Sequence, residues 1–323
     1  MQQRHIGRTA IRTLAAACAA AAISLPALAD EVKCGMSKWG PNDQIGNLNH
    51  LGSHKVLQAM KTVTKGKAYQ LGIETNRLTP AFPPRNYAVT VLQPNQVNGV
   101  SLGPTKMTYN DDIVMGWNGV GSQIDGLGHI GVDAKYFNCL KGEDIGKVTG
   151  LAKYGIETLP PIATRGILLD MVPLYGKDGL VPEGTAFNRA EIEAAMKRQG
   201  IKSIDKGDVV LFHTGWTSLI GKDDKRYGSV EPGLGREGAR YLAGLGVAAI
   251  GADTWGLEVL PFEKGAGVFE VHQILLPENG IFILENMETA EMAKDQAWEF
   301  LFTLGPSRLT GAVQAIINPI AIK

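Results

Sequence analysis

The sequence predicts an α/β fold in a single domain, on three observations. Short apolar, β-branched runs bounded by glycine alternate with helical stretches. No internal repeat is visible, and no Pro/Ser-rich linker divides the chain. In chain order, residues 53–61 read as the first helix, and 88–92 and 112–115 as strands. Strands at 164–169, 209–213, 247–251 and 280–284 follow, each a compact run of Val, Ile, Leu or Phe. Helices fall between and after them, at 188–199 with Asn188 as its cap, at 235–244 and at 289–294. Residues 78–121, rich in Pro, Asn and Gly, are expected to form loops over a site.

The first 29 residues read as an export segment. Arg4, Arg8 and Arg12 precede an apolar run over 14–25, and Ala27-Leu28-Ala29 is a small-x-small cleavage site before Asp30. The run is short and alanine-rich for a membrane anchor. The expected mature chain is therefore 30–323, periplasmic or secreted. Loss of three arginines from 32 basic residues leaves 29 against 32 acidic ones, a balance that offers nothing to nucleic acid. With 44% hydrophobic residues, the chain has the composition of a globular protein able to bury a sizeable core.

Cleavage would remove Cys18 and leave Cys34 and Cys139. An oxidising compartment permits them to pair, but two unrelated thiols fit the sequence equally. Neither sits in Cys-x-x-Cys spacing, which argues against a thiolate zinc site.

The segment Gly121-Ser122-Gln123-Ile124-Asp125-Gly126-Leu127-Gly128-His129 carries the most chemistry. It places an amide, a carboxylate and an imidazole at i, i+2 and i+6 among glycines. On an extended strand Gln123 and Asp125 point to one side, whereas a helix would turn them about 200° apart. The glycines let the backbone turn back and bring His129 towards the same point, with room for an ion and a substrate carbonyl. The same nine residues also fit a plain glycine-rich turn holding one buried Asp and one core His.

This segment resembles the signature of the cyclase family of metal-dependent hydrolases, the group that includes kynurenine formamidase, isatin hydrolase and trans-dienelactone hydrolase. Against the pattern H-x-G-T-H-x-D-x-P-x-H, Gly121, Asp125 and His129 match. Gly119 and Gln123 stand where the pattern has His, and Leu127 where it has Pro. Further blocks are similar in order along the chain: Trp39-Gly40-Pro41-Asn42-Asp43, Gly207-Asp208-Val209-Val210-Leu211, Gly251-Ala252-Asp253-Thr254, Val271-His272, Ile283-Leu284-Glu285-Asn286, and Thr310-Gly311-Ala312 with Asn318-Pro319.

The resemblance implies a mixed β-barrel of the swivelling β/β/α type. It assigns Gln123, Asp125, His272 and Glu285 as metal ligands, His129 as proton donor and acceptor, and Trp39 as a substrate contact. On spacing alone His272 and Glu285 are ordinary surface residues. His50 and His54, four apart, could bind metal but match no block. His213 could line a pocket or pack in the core, Asp253 and Glu258 could orient ligands, and Asp111-Asp112 reads as a solvated pair.

The expected activity is hydrolysis of a cyclic or aryl amide or ester, such as a lactone, an imide-like ring or a formamide. One or two Mn²⁺ or Zn²⁺ ions would activate water and polarise the carbonyl. Two alternatives stay open: a cyclase or lyase using the same metal, and a non-catalytic ligand-binding relative whose cage lacks two imidazoles. The expected partners are a small-molecule substrate and, as relatives of this type often pair, a second copy; no nucleic acid and, once the export segment is removed, no membrane.

Overall fold

The computed structural model describes residues 32–92 and 101–323; the expected export segment lies outside them. Among those residues nine strands share one mixed sheet. They are β1 (Ala68–Gln70), β2 (Gln123–Asp125), β3 (Ile162–Asp170), β4 (Val209–His213), β5 (Ala249–Ala252), β6 (Phe282–Glu285), β7 (Glu299–Leu304), β8 (Gln314–Ile316) and β9 (Ile320–Ile322). Their spatial order is β1-β9-β7-β3-β4-β5-β6-β2-β8. β3 to β6 run parallel, and the flanking pairs are antiparallel. The sheet curls into a half-barrel, in keeping with the mixed sheet that the resemblance implies.

The central strands are legible because they are covered on both faces. Val209, Val210, Leu211 and Phe212 are all fully buried, as are Phe282, Ile283 and Leu284, so they read as continuous apolar runs instead of alternating. β7 shows the other regime: Phe300, Phe302 and Leu304 point inward while the residues between them are partly exposed. β5 and β6 begin two residues later than the sequence predicts. Val247, Ala248 and Ile281 are buried lead-ins, whereas the ladder runs on to pair Glu285 with Gln123. Of the strands the sequence did not show, β1, β8 and β9 have three residues each, defined by pairing and not by local pattern, whereas β7 has six.

Helices α1 (Ser53–Met60) and α2 (Arg189–Gln199) pack against β3, and α3 (Arg236–Leu245) packs against α2. Glu191 accepts a hydrogen bond from the Asn188 N–H at 3.0 Å, one half of a capping box. Gly246, at φ 76°, supplies the left-handed residue that ends α3, so the helix runs past Gly244. A buried charge cluster ties α1 to the sheet: Asp208 accepts from Lys55 Nζ at 2.7 Å and from Arg165 Nε at 3.0 Å. Among the described residues no helix is long and apolar enough to cross a membrane.

Residues 78–121 hold a hairpin, Tyr87–Leu92 paired with Asp111–Gly116, whose apolar Val91, Val114 and Met115 face solvent. Asp111 and Asp112 lie exposed on it, remote from any ligand role.

Cys34 and Cys139 are joined by a disulfide across 105 residues. Closing so long a loop restricts the unfolded chain, typically stabilising by about 2–5 kcal/mol. Reduction, or Cys139→Ser, should lower the unfolding free energy by that amount, seen as a lower midpoint in urea; a Cys139→Ser midpoint equal to that of the wild type in non-reducing buffer would mean the bond does not form in the purified protein.

Candidate metal centre

Sheet register assembles the site. β2 lies between β6 and β8, with Gln123 opposite Glu285 and Asp125 opposite Gln314. Directly opposed residues on antiparallel strands share a face, and residues two apart on one strand share it as well. Gln123, Asp125, Glu285 and Gln314 therefore project together, and all four are buried. Beyond β2 the chain turns over Gly126, where the His129 N–H bonds the Gly126 carbonyl at 3.0 Å. A side chain at 126 would meet the Val313 carbonyl at 2.7 Å, so only glycine permits this turn beside β8. The turn brings His129 Nε2 to 3.7 Å from Asp125 Oδ2.

His272 arrives from a different element, the short helix Glu270–Gln273. Its Nδ1 lies 2.8 Å from Glu258 Oε1 and its Nε2 3.2 Å from Glu285 Oε1. Glu258 thus fixes the ring so that Nε2 faces the acids, the usual way a carboxylate orients a ligating imidazole. Of the two outer partners expected from sequence, Glu258 takes this role. Asp253 pairs instead with His213, at 3.2 Å, and accepts from the Thr214 and Gly215 amides. His213 is accordingly held in a separate buried cluster with Thr289.

An amide takes one oxygen of each carboxylate. Gln314 Nε2 donates to Asp125 Oδ1 at 2.7 Å, and Gln123 Nε2 donates to Glu285 Oε2 at 2.7 Å. Gln123, expected as an oxygen ligand, instead turns its amide N–H groups to the two acids, because adjacent carboxylates need a donor between them. Asp125 Oδ2 is left buried without a hydrogen-bond partner. Such an orphan costs about 1–3 kcal/mol. Asp125, His272 and Glu285 each offer one atom to a common point, all within 4.8 Å of one another.

The electrostatics agree. Burial, with Asp125 adding, pushes the Glu285 carboxyl up to about 7, the mark of negative charge short of a counter-ion. Burial alone would lower the His272 pKa, but hydrogen bonds from the ring to the Glu258 and Glu285 carboxylates hold it well above its ordinary value. Two carboxylate oxygens and one imidazole nitrogen suit a divalent cation. His129 stands apart: burial lowers its pKa, and neighbouring His272 and Arg85 lower it further against the pull of Asp125, so the ring is neutral near pH 7.

Above the donors lies a cavity of about 190 Å³ whose lining includes Phe82, Arg85, Ile130, Trp255 and Phe269. Phe82 stacks on Trp255 at 5.7 Å, and Phe269 meets both edge-on at 6.2 and 6.4 Å. Trp39 does not join it. That indole packs on His50 at 5.0 Å beneath Lys38 and borders a separate cleft with Phe137 and Glu278. Gln314, Arg85, Phe82 and Phe269 escaped the sequence reading. Only Gln314 had a signal, its position two residues past Ala312 in the closing block.

No curated protein matches the sequence. Among solved structures, one described as a novel cyclase superimposes with a TM-score of 0.80 at 28% identity, over 90% of this chain and all of that one. Isatin hydrolase A from Ralstonia solanacearum gives 0.59 at 15% identity, covering 79% of this chain and 91% of that one. An isatin hydrolase bound to the product analogue thioisatinate gives 0.59 at 15%, covering 84% and 98%. These last two share the fold. The Cyclase family model matches residues 48–259, more than half of the chain, and the chain belongs to the cyclase family.

Proposed function

We propose that this protein is an exported metal-dependent hydrolase that opens or cleaves a cyclic or aryl amide or ester. The observation that carries this is the convergence of the unpartnered Asp125 Oδ2 with Glu285 and His272 beneath an aromatic cavity. Asp125, Glu285 and His272 hold the ion; when bound, it lowers the pKa of a water and polarises the scissile carbonyl. Gln314 and Gln123 keep the carboxylates aimed, and Glu258 keeps His272 in the tautomer that presents Nε2. Phe82, Trp255 and Phe269 take a planar ring. His129, neutral and beside Asp125, accepts the proton from water and returns it to the leaving nitrogen or oxygen. Export is supported by the N-terminal pattern and by the Cys34–Cys139 disulfide. The apolar, exposed Tyr87–Leu92 and Asp111–Gly116 hairpin is where a second copy would pair.

Turnover of a lactone, imide and aryl formamide panel in ¹⁸O-labelled water, with Mn²⁺ or Zn²⁺ added, tests the reaction type. Hydrolysis puts one solvent oxygen into the product carboxylate. A product without label would make the enzyme a cyclase or lyase, and no turnover of any class would leave a binding protein.

A further inference from the structure

Arg85 borders the same cavity and makes no ion pair among the described residues. Its one side-chain hydrogen bond among them runs from Nη1 to the Gly119 carbonyl at 3.1 Å. Gly119 is what admits it: a Cβ there would fall 2.6 Å from Arg85 Nη1 and 2.8 Å from Gln314 Oε1. The side chain absent at 119 is thus replaced by a guanidinium wedged beside the glutamine that holds Asp125. Its charge reaches the centre, lowering the pKa of both His129 and Glu285.

A guanidinium with unused donors, facing a cavity, is built to take a planar anion in a two-pronged grip. The rest of the wall narrows the ligand. Phe82, Trp255 and Phe269 enclose a flat apolar group, so the anion comes attached to a ring. Carboxylates already in the site do not occupy Arg85: neither Asp125 nor Glu285 forms an ion pair with it among the described residues, Gln314 holding Asp125 Oδ1 and Gln123 and His272 holding Glu285.

We infer that Arg85 is an anion subsite that recognises an aryl carboxylate, borne by the substrate or released when its ring carbonyl is hydrolysed. In the second case the balance is simple. Water adds to the carbonyl carbon, the C–N or C–O bond breaks, the leaving atom takes one of the water's protons, the other is lost to solvent, and the new carboxylate pairs with Arg85. The inference rests on the hydrolase reading for the identity of the site, and its test does not depend on turnover.

The test is calorimetric titration of benzoate and of benzamide, its neutral isostere, into wild type, Arg85→Met and Arg85→Lys, with metal content and melting temperature measured on each preparation. Arg85→Met should weaken benzoate by at least about tenfold, the scale of a lost charged hydrogen bond, and leave benzamide, metal content and melting temperature unchanged. Arg85→Lys should recover part of the affinity. 2-Carbamoylbenzoate separates the two sources: it binds wild type more tightly than benzoate if the carboxylate is a substituent of the substrate, and no more tightly if it is the group released. Benzoate binding unaltered by Arg85→Met, or benzamide weakened equally, would overturn the subsite. Absence of metal from wild type would instead count against the hydrolase reading.

Discussion

Asp125→Ala should lose bound divalent metal and catalytic activity together. Asp125 is fully buried at the centre of the site, its Oδ1 fixed by Gln314 and its Oδ2 unpartnered. Alanine removes the oxygen that faces both His129, at 3.7 Å, and His272, at 4.0 Å. Loss of an outer partner such as Glu258 typically costs roughly 10–100-fold in metal affinity, and loss of a ligand should exceed that. Metal analysis by mass spectrometry alongside initial rates checks it. Wild-type metal occupancy in the mutant would remove Asp125 from the ligand set. Asp125→Asn, which keeps shape and the bond from Gln314, guards against a mere folding defect.

His129→Ala should keep the metal and lower kcat by about 10² to 10⁴, the contribution of a positioned general acid and base. His129 sits 3.7 Å from Asp125 but outside the three-donor group that His272 completes. Burial depresses its pKa, so on acidification the imidazole stays neutral, and able to accept a proton, to below its ordinary value of about 6.5. The wild-type rate should hold down to that range and then fall. In the mutant this acid limb should vanish. Metal lost in step with activity would make His129 a ligand and end its proton-transfer role.

How much of this was legible in the sequence depended on whether the signal was local. Gln123, Asp125 and His129 sit in nine residues whose spacing places them on one strand and one turn, so their proximity could be read directly. Glu285 and His272 needed the resemblance, because nothing local says that β6 lies against β2. Gln314 is 189 residues from Asp125 and reaches it only through the antiparallel register of β8. Arg85 lies in a proline-rich stretch whose path no periodicity describes, and its entry depends on a missing side chain at Gly119. Trp39 shows the opposite failure: a residue in a matching block whose ring the fold directs onto His50. The long buried strands were legible for the reason that makes them central, while three-residue β1, β8 and β9 exist only as partners.

The most direct measurement is the metal content of the purified protein, followed through chelation and the melting curve. The three-donor geometry predicts one divalent ion per chain. An ion that binds only the folded state adds RT ln(1 + [L]/Kd), roughly 4 kcal/mol at a thousandfold excess over Kd, so stripping it should lower the melting temperature and adding back Mn²⁺ or Zn²⁺ should restore it. A protein that binds no divalent metal, with a melting curve indifferent to chelator and ion alike, would contradict the metal centre.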